Sequence, residues 1–480
     1  MPLAAVAARV AGAVVRGDGA TTVVDAELDH RRVAPGSLFF CVAGRSVDGH
    51  VFGARAIEAG AAALVVERWL DVDAPQVLVP SVRRAMGPMS AAVFGDPAAA
   101  MTIVGVTGTN GKTTVVQLLR SIFEADGRRS GAIGTVGATI GDEHVPLERT
   151  TPEAPDLFRL LARMRAQGVA AVAIEVSSHA LAQDRVDGIR FDAAVFTNLS
   201  QDHLDFHPSI EAYFDAKASL FRPERAAHGV INVDDPWGRR LLAADVPRTT
   251  YGLFAEADVR ADDVRSTVTG STFSVAGVEV RTALRGSFNV SNCLAAFAAA
   301  GVVGVAPETS AVGIGAVREV PGRMEPIDAG QDFLVVVDYA HTPDSIRSVL
   351  AAARPLTAGR VIVVFGCGGD RDRAKRPPMG MAATEGADLT VVTSDNPRSE
   401  DPLAILAEIE PGAAAGGGRY VVEPDRRAAI RLALAEAREG DVVVIAGKGH
   451  ERVQEFADRV VPFDDRAVAR EELEALGARP

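Results

Sequence analysis

A short apolar strand that runs into a glycine-rich turn and then into a helix constrains this chain more than any other feature. It reads Ile103-Val104-Gly105-Val106-Thr107-Gly108-Thr109-Asn110-Gly111-Lys112-Thr113-Thr114, with Val116, Leu118 and Leu119 following on one helical face. Glycines let successive backbone N–H groups close around a polyphosphate. Lys112 supplies positive charge to the outer phosphates, and Thr113 offers a hydroxyl to a magnesium ion. The strict phosphate-loop pattern is not met, because Val106 stands where its first glycine belongs. The bland alternative is an ordinary strand-to-helix turn with a solvated lysine, which Gly-Lys-Thr-Thr placed directly after a strand disfavours. The expected ligand is ATP.

The rest of the chain repeats strand–helix alternation. Leu157, Leu160, Leu161 and Met164 recur at helical spacing over residues 154–168, where Gly168 ends the pattern. Ala171–Val176 and Ala193–Thr197 are continuous apolar runs, as buried parallel strands require. Phe333–Val337, Arg360–Phe365, Asp388–Thr393 and Asp441–Ala446 resume the series. The fold class expected is α/β, with doubly wound, mainly parallel sheets. Thr267–Glu279 departs from it, alternating around Gly270 and Gly277 like an antiparallel hairpin or small sheet inserted in the middle segment. Turn residues at Phe94-Gly95-Asp96-Pro97 and Pro321-Gly322 suggest boundaries, and hence segments 1–97, 98–321 and 322–480. Gly412–Gly418 reads as a Gly/Ala loop, and residues 1–15 as a first helix rather than a signal peptide, because Arg9 and Gly12 interrupt the apolar run.

A chain of 480 residues allows about three domains. A net charge of −13 argues against general nucleic-acid binding. Cys41, Cys293 and Cys367 form no C-x-x-C pair, which excludes a zinc ribbon or disulfide framework and suits a reducing cytoplasm. No window approaches the ~18 uncharged apolar residues of a membrane span.

Ligands of open α/β sheets sit where strand C-termini meet loops. After residues 171–174 comes Glu175-Val176-Ser177-Ser178-His179, and after residues 195–196 comes Thr197-Asn198-Leu199-Ser200-Gln201-Asp202-His203-Leu204-Asp205. Glu175, His179 and His203 should therefore converge on the phosphate rim, where oxygen ligands suit Mg²⁺. His203 and His207 at i, i+4 suggest zinc in isolation. No H-E-x-x-H accompanies them, however, and a lone helical pair is usually structural. In the last third, four strands end in Asp338-Tyr339-Ala340-His341, Gly366–Arg373, Ser394-Asp395-Asn396-Pro397-Arg398 and Gly447-Lys448-Gly449-His450-Glu451. Any one of these loops is explained by helix caps and turns. Together, with charges of both signs, they suit a zwitterionic small molecule.

These residues resemble the Mur ligases, the ATP-dependent peptide synthetases of peptidoglycan precursor assembly, over nearly the whole chain. Gly108–Thr114 matches the family loop G-T-N-G-K-T-T without deviation, and residues 175–179, 197–203, 213–221 and 447–451 match as well. The resemblance implies three domains: an N-terminal one for a uridine nucleotide, a central P-loop-like ATPase, and a C-terminal Rossmann-like one for the amino acid. It implies ATP held by Gly108, Thr109, Asn110, Gly111, Lys112, Thr113 and Thr114, with Asn292, Arg323 and Asp338 completing the site and His341 nearby. Glu175 and His203 would bind Mg²⁺ with Thr113. Lys217 stands where the family carries a lysine carbamylated by CO₂, a second metal ligand, although on its own it reads as a solvated lysine.

For the substrate UDP-MurNAc-L-Ala-D-Glu, the resemblance implies contacts from Thr150, Thr151, Ser177, Gln183, Arg185, Leu28 and His30. Many relatives carry serine at the position of His30. Arg45-Ser46-Val47 occupies a further substrate loop. The added amino acid would be read by Asp395, Asn396, Pro397 and Arg398, since members adding meso-diaminopimelate carry D-N-P-R. A guanidinium grips a second carboxylate through paired charge-assisted hydrogen bonds, and a buried Arg398 facing lysine would stay unpaired. Arg371, Gly447 and Glu451 match the other contacts, with Glu451 holding an ammonium group. The expected enzyme is a monomeric, cytoplasmic ligase that joins meso-diaminopimelate to the D-Glu γ-carboxylate through an acyl phosphate. The alternatives are the same reaction with L-lysine, a folylpolyglutamate synthase-like or sister ligase, a non-catalytic ATP switch, and a zinc hydrolase.

Overall fold

The computed structural model describes residues 1–44 and 47–477. Three parallel-rich sheets follow one another along the chain. The first has five strands in the order Val14–Arg16, Gln76–Leu78, Ala63–Val66, Ser37–Phe40, Asp25–Glu27, all parallel except Val14–Arg16. The segment expected to be one helix is instead a five-residue helix, Leu3–Ala7, and this strand. Gly12, at φ 77°, turns the chain between them, and Val14 pairs with Leu78 across the sheet edge.

The second sheet has nine strands. Thr102–Thr107 lies at its centre between Ala193–Phe196 and Ala171–Glu175, with parallel neighbours on both sides. Only the last two pairings, Ser130–Gly134 with Gly137–Ile140 and Gly137–Ile140 with Glu143–Val145, are antiparallel. Val104, Val106 and Ala173 face one layer, built from the helices Lys112–Ala125, Ser287–Val302 and Pro307–Ala316. Ile103, Val172 and Ile174 face the other, where Phe158 and Leu161 of the helix Ala154–Ala166 meet Met86 and Met89 of Val82–Val93. This second core runs on without interruption into Leu38 and Phe40 of the first sheet. The expected inserted hairpin is a three-stranded antiparallel sheet, Asp262–Thr267, Gly270–Val275 and Val278–Thr282.

The third sheet orders its strands Glu325–Ile327, Leu334–Asp338, Val442–Ala446, Val361–Phe365, Leu389–Val392, Tyr420–Val422, and only the first is antiparallel. Helices cover both of its faces: Ile346 and Ile409 pack on one, Ile430 and Leu473 on the other. The Gly/Ala stretch expected as a loop is helical as far as Ala415, because Gly412 packs flush against the Pro377 carbonyl of the neighbouring helix. A two-stranded ribbon, Val453–Glu455 with Val460–Pro462, follows the last parallel strand. Among the described residues no helix is long and apolar enough to cross a membrane.

Candidate active site

The loop after Thr102–Thr107 is shaped by its glycines and tied to its neighbour strand. Gly108 and Gly111 have φ of 148° and 87°. A Cβ on the first would overlap Thr197 Oγ1, and on the second Asn292 Oδ1, so both positions are closed to larger residues. Thr109 N donates to Asn198 O at 2.9 Å, Asn110 N to Asn198 Oδ1 at 2.9 Å, and Thr197 Oγ1 to Asn110 O at 2.6 Å. The helix begins at Lys112, whose Nζ donates to the carbonyls of Gly108 at 2.9 Å and Thr109 at 2.8 Å. Buried Lys217 reaches the same Gly108 carbonyl at 2.7 Å from the opposite helix, Ile210–Ala218. Burial lowers both amines. Arg323 lowers Lys112 further, against the opposing pull of Glu175, and the charge of Lys112 lowers Lys217 further.

Glu175 is fully buried at the end of its strand, where its carboxylate accepts from Thr135 N at 2.9 Å and Thr135 Oγ1 at 3.0 Å. His203 stands edge-on to His179, 4.7 Å between centroids, and burial lowers it to about 3. The His203/His207 pair does not lie on a helix. His203 has φ 57°, the segment is a turn, and His207 Nε2 is engaged with Ser178 Oγ at 3.0 Å. Among the described residues no three His, Cys, Asp or Glu side chains group as a metal site. That counts against the zinc reading and leaves hard oxygen donors, the Glu175 carboxylate and the Thr113 hydroxyl, as the set suited to Mg²⁺.

Three cavities bear on the site, the first of them lined by this loop. One of about 350 Å³ is lined by Asn110, Gly111, Thr114, Asn292, Arg323 and Asp338, with Phe288, Tyr339 and Val349 as its apolar and aromatic wall. Arg323 crosses from the third sheet to donate to Thr113 Oγ1 at 3.1 Å, its guanidinium 4.6 Å from the Tyr339 ring centre. Asp338 accepts from the backbone N–H groups of Met324 and Ala340, both at 2.8 Å, and burial raises its pKa.

A second cavity, about 190 Å³, lies between the second and third sheets. It brings together Asp202, His203, His341, Arg371, Asp395, Asn396, Arg398, Gly447 and Glu451, whereas Pro397 does not line it. Asp202 closes the seam, 3.6 Å from His341 Nε2 and 3.7 Å from Lys375 Nζ. Glu451 Oε2 accepts from Asn396 Nδ2 at 2.7 Å and from fully buried Lys448 at 3.1 Å, and Lys448 also donates to Asn396 Oδ1 at 2.8 Å. Behind these loops Arg426, fully buried and paired with Asp465, donates to the carbonyls of Ser394 at 3.2 Å and Ala446 at 2.9 Å, fixing two strand ends at once. Arg398 differs from expectation. It is half-buried and already partnered, by Glu455 Oε2 at 3.1 Å and the Gly369 carbonyl at 2.8 Å, so an incoming lysine would not leave it orphaned.

The third cavity, about 560 Å³, joins the first two sheets and is lined by Leu28 together with Arg31, Arg32, Arg149 and Arg159. His30 does not line it; its ring stacks on Phe52 at 4.4 Å. Thr150, Thr151, Ser177, Gln183 and Arg185 form one connected unit between this cavity and Glu175. Thr150 meets Thr135 at 3.1 Å, and Thr151 Oγ1 donates to Glu175 O at 2.8 Å and accepts from Ser177 N at 3.1 Å. Arg185 donates to Thr151 O at 3.1 Å and Gln183 Oε1 at 2.6 Å. Of the further substrate loop, Arg45 and Ser46 lie outside the described residues, and Val47 is exposed. Sequence reasoning assigned no role to Lys375, Arg426, Asp465 or Glu455. Each acts through a partner 39 or more positions away, or through one in another loop, and no local pattern marks such pairs.

A nucleotide loop and a buried carboxylate at neighbouring strand ends of the second sheet, with a zwitterion-sized pocket between that sheet and the third, define an ATP-dependent ligase architecture. Residues 27–94, 106–300 and 322–449 match the family models for the Mur ligase catalytic domain, the Mur ligase middle domain and the Mur ligase glutamate ligase domain. The chain belongs to the Mur ligase family. It is 48% identical over 484 residues to the UDP-N-acetylmuramoyl-L-alanyl-D-glutamate–2,6-diaminopimelate ligase of Geobacillus thermodenitrificans, covering 98% of this chain and 99% of that one. A solved structure of a ligase with the same description superposes with a TM-score of 0.69 at 36% identity, covering 95% of both chains. The MurF ligase of Thermotoga maritima in complex with ADP shares the fold, with a TM-score of 0.64 at 18% identity, covering 95% of this chain and 97% of that one.

Proposed function

We infer that this chain is an ATP-dependent amide-bond-forming ligase that adds meso-2,6-diaminopimelate to the D-Glu γ-carboxylate of UDP-MurNAc-L-Ala-D-Glu in peptidoglycan precursor synthesis. The observation that carries this reading is the 190 Å³ cavity, where Arg398, Asn396 and Glu451 face the His203 loop across the seam between two sheets. A carboxylate and an ammonium of one amino acid fit that pairing of charges. Among the described residues both side-chain bonds to Glu451 fall on Oε2, which leaves Oε1 for a substrate ammonium.

The γ-carboxylate oxygen attacks the γ-phosphorus of ATP, the bond to the bridging oxygen breaks, and ADP leaves. The diaminopimelate amine then attacks the acyl-phosphate carbonyl, loses a proton and expels phosphate. Backbone N–H groups of Gly108–Thr114 and the charge of Lys112 hold the phosphates, Asn292, Arg323 and Asp338 line the nucleotide cavity, and catalysis rests on positioning and charge neutralisation. Thr113, Glu175 and His203 would hold Mg²⁺, which neutralises phosphate charge when bound. Burial lowers the Lys217 amine well below its ordinary value, which favours the neutral form that adds to CO₂ with loss of a proton, and the resulting carbamate would be a further anionic metal ligand. Thr150, Thr151, Ser177, Gln183, Arg185 and Leu28 hold the nucleotide substrate. Segments 1–97, 98–321 and 322–480 serve the uridine nucleotide, ATP and the amino acid in turn. We take the chain to be a monomer, and three free buried cysteines suit the cytoplasm.

The test is phosphate release with ATP, Mg²⁺ and UDP-MurNAc-L-Ala-D-Glu, comparing meso-diaminopimelate, L-lysine and no amine. Release only with diaminopimelate is expected. Release that ignores the amine would overturn the reading.

A further inference from the structure

The D-N-P-R loop does not hold its own shape. Four hydrogen bonds connect it to two consecutive residues of the ribbon that follows the last parallel strand. Gln454 Nε2 donates to Asp395 O at 2.8 Å, and Glu455 N donates to Asn396 Oδ1 at 3.1 Å. Arg398 N donates to Glu455 O at 2.9 Å, and Arg398 Nε to Glu455 Oε2 at 3.1 Å. Arg398 sits at φ 52°, a conformation that costs a non-glycine residue energy and persists only where its surroundings impose it. The backbone bond to Glu455 and the bridge from Arg398 to Phe456 supply that constraint.

The side chain is fixed in the same way. Glu455 takes Nε, and the Gly369 carbonyl takes one hydrogen of Nη1 at 2.8 Å. The outer edge of the guanidinium, the remaining Nη1 hydrogen and those of Nη2, is the fork that grips a carboxylate bidentately. Arg398 lines the 190 Å³ cavity and Glu455 does not. The carboxylate of Glu455 therefore holds the arginine from outside the lining of that cavity. With 42% of its side chain exposed, the pair contributes little to stability, and its effect is on orientation.

We propose that Glu455 is a specificity-determining positioning residue, which turns the outer edge of Arg398 toward the distal carboxylate of the amino-acid substrate and so separates diaminopimelate from lysine. This rests on the ligase reading above. Three variants of the full-length chain test it by steady-state phosphate release with each amine. Glu455→Ala is expected to raise KM for diaminopimelate about tenfold, the loss of one hydrogen bond between charged groups. KM for ATP and for the nucleotide substrate should stay within about twofold of the parent, which also reports an intact fold. The preference for diaminopimelate over lysine should fall by the same factor, since lysine has no carboxylate for Arg398. Glu455→Gln keeps an acceptor at the same reach and should remain near the parent. Glu455→Asp keeps the charge, loses the reach and should behave like alanine. A lower KM in Glu455→Ala would show the glutamate to be a competing counter-ion and overturn the proposal, as would an unchanged KM, or equal defects in alanine and glutamine. A parent chain with no diaminopimelate-dependent release would overturn the ligase reading instead.

Discussion

The phosphate loop and the amino-acid pocket are built on different plans. Gly108–Thr114 is one continuous segment, shaped by two glycines with positive φ and completed by backbone groups and Lys112. The pocket around Arg398 is assembled from four strand ends of the third sheet and one of the second, and its side chains are positioned by others that never touch it: Lys448 behind Asn396, and Arg426 with Asp465 behind two carbonyls. A site made of backbone is written in adjacent residues. A site made of side chains borrows its precision from distant ones.

The largest effect that would break this contrast falls behind the pocket. Arg426→Met leaves Asp465 buried without its partner and is expected to cost about 3–5 kcal/mol in urea unfolding. A negligible loss would mean that the pair does not organise the strand ends. Next, Lys112→Ala should lower kcat about 10²–10³-fold with an unchanged melting temperature, because it removes charge stabilisation and leaves a backbone-built loop standing. A variant that unfolds would show that the loop depends on its side chain after all. Arg398→Lys should cost about 1.5–3 kcal/mol in kcat/KM for diaminopimelate and leave KM for ATP alone, since an ammonium cannot reproduce the fork.

A further effect concerns pH. Burial, with Arg323 and Arg466 nearby, lowers His450 to about 4 from an ordinary value of 6.5. Above pH 6.5 both folded and unfolded chains hold it neutral. Below that the unfolded chain takes up the proton first, so stability is lost as pH falls toward 4. Melting temperatures between pH 7 and 4 should therefore drop less steeply in His450→Gln than in the parent, and parallel slopes would contradict the assignment.

The same contrast explains what could be read in advance. Gly-Lys-Thr-Thr after a strand, the alternation of apolar runs with helices, and the polar loops at four strand ends are all local patterns, and the structure gathers the last into one cavity. Where reading failed, a long-range partner decided. Val14 became a strand because Leu78 was there to pair with it. Gly412 stayed helical because a neighbouring helix needed close approach. Arg398 looked buried and solitary because Glu455 lies 57 positions along the chain, in the ribbon after the last parallel strand. His30 turned from the expected cavity because Phe52 offered a ring to stack on.

The most direct test of the account is a competition. The chain is incubated with ATP, Mg²⁺, UDP-MurNAc-L-Ala-D-Glu and equal concentrations of meso-diaminopimelate and L-lysine, and the nucleotide product is identified by mass. The account predicts the diaminopimelate tripeptide alone. A lysine tripeptide would contradict the assignment of Arg398 and its supports as the reader of the second carboxylate.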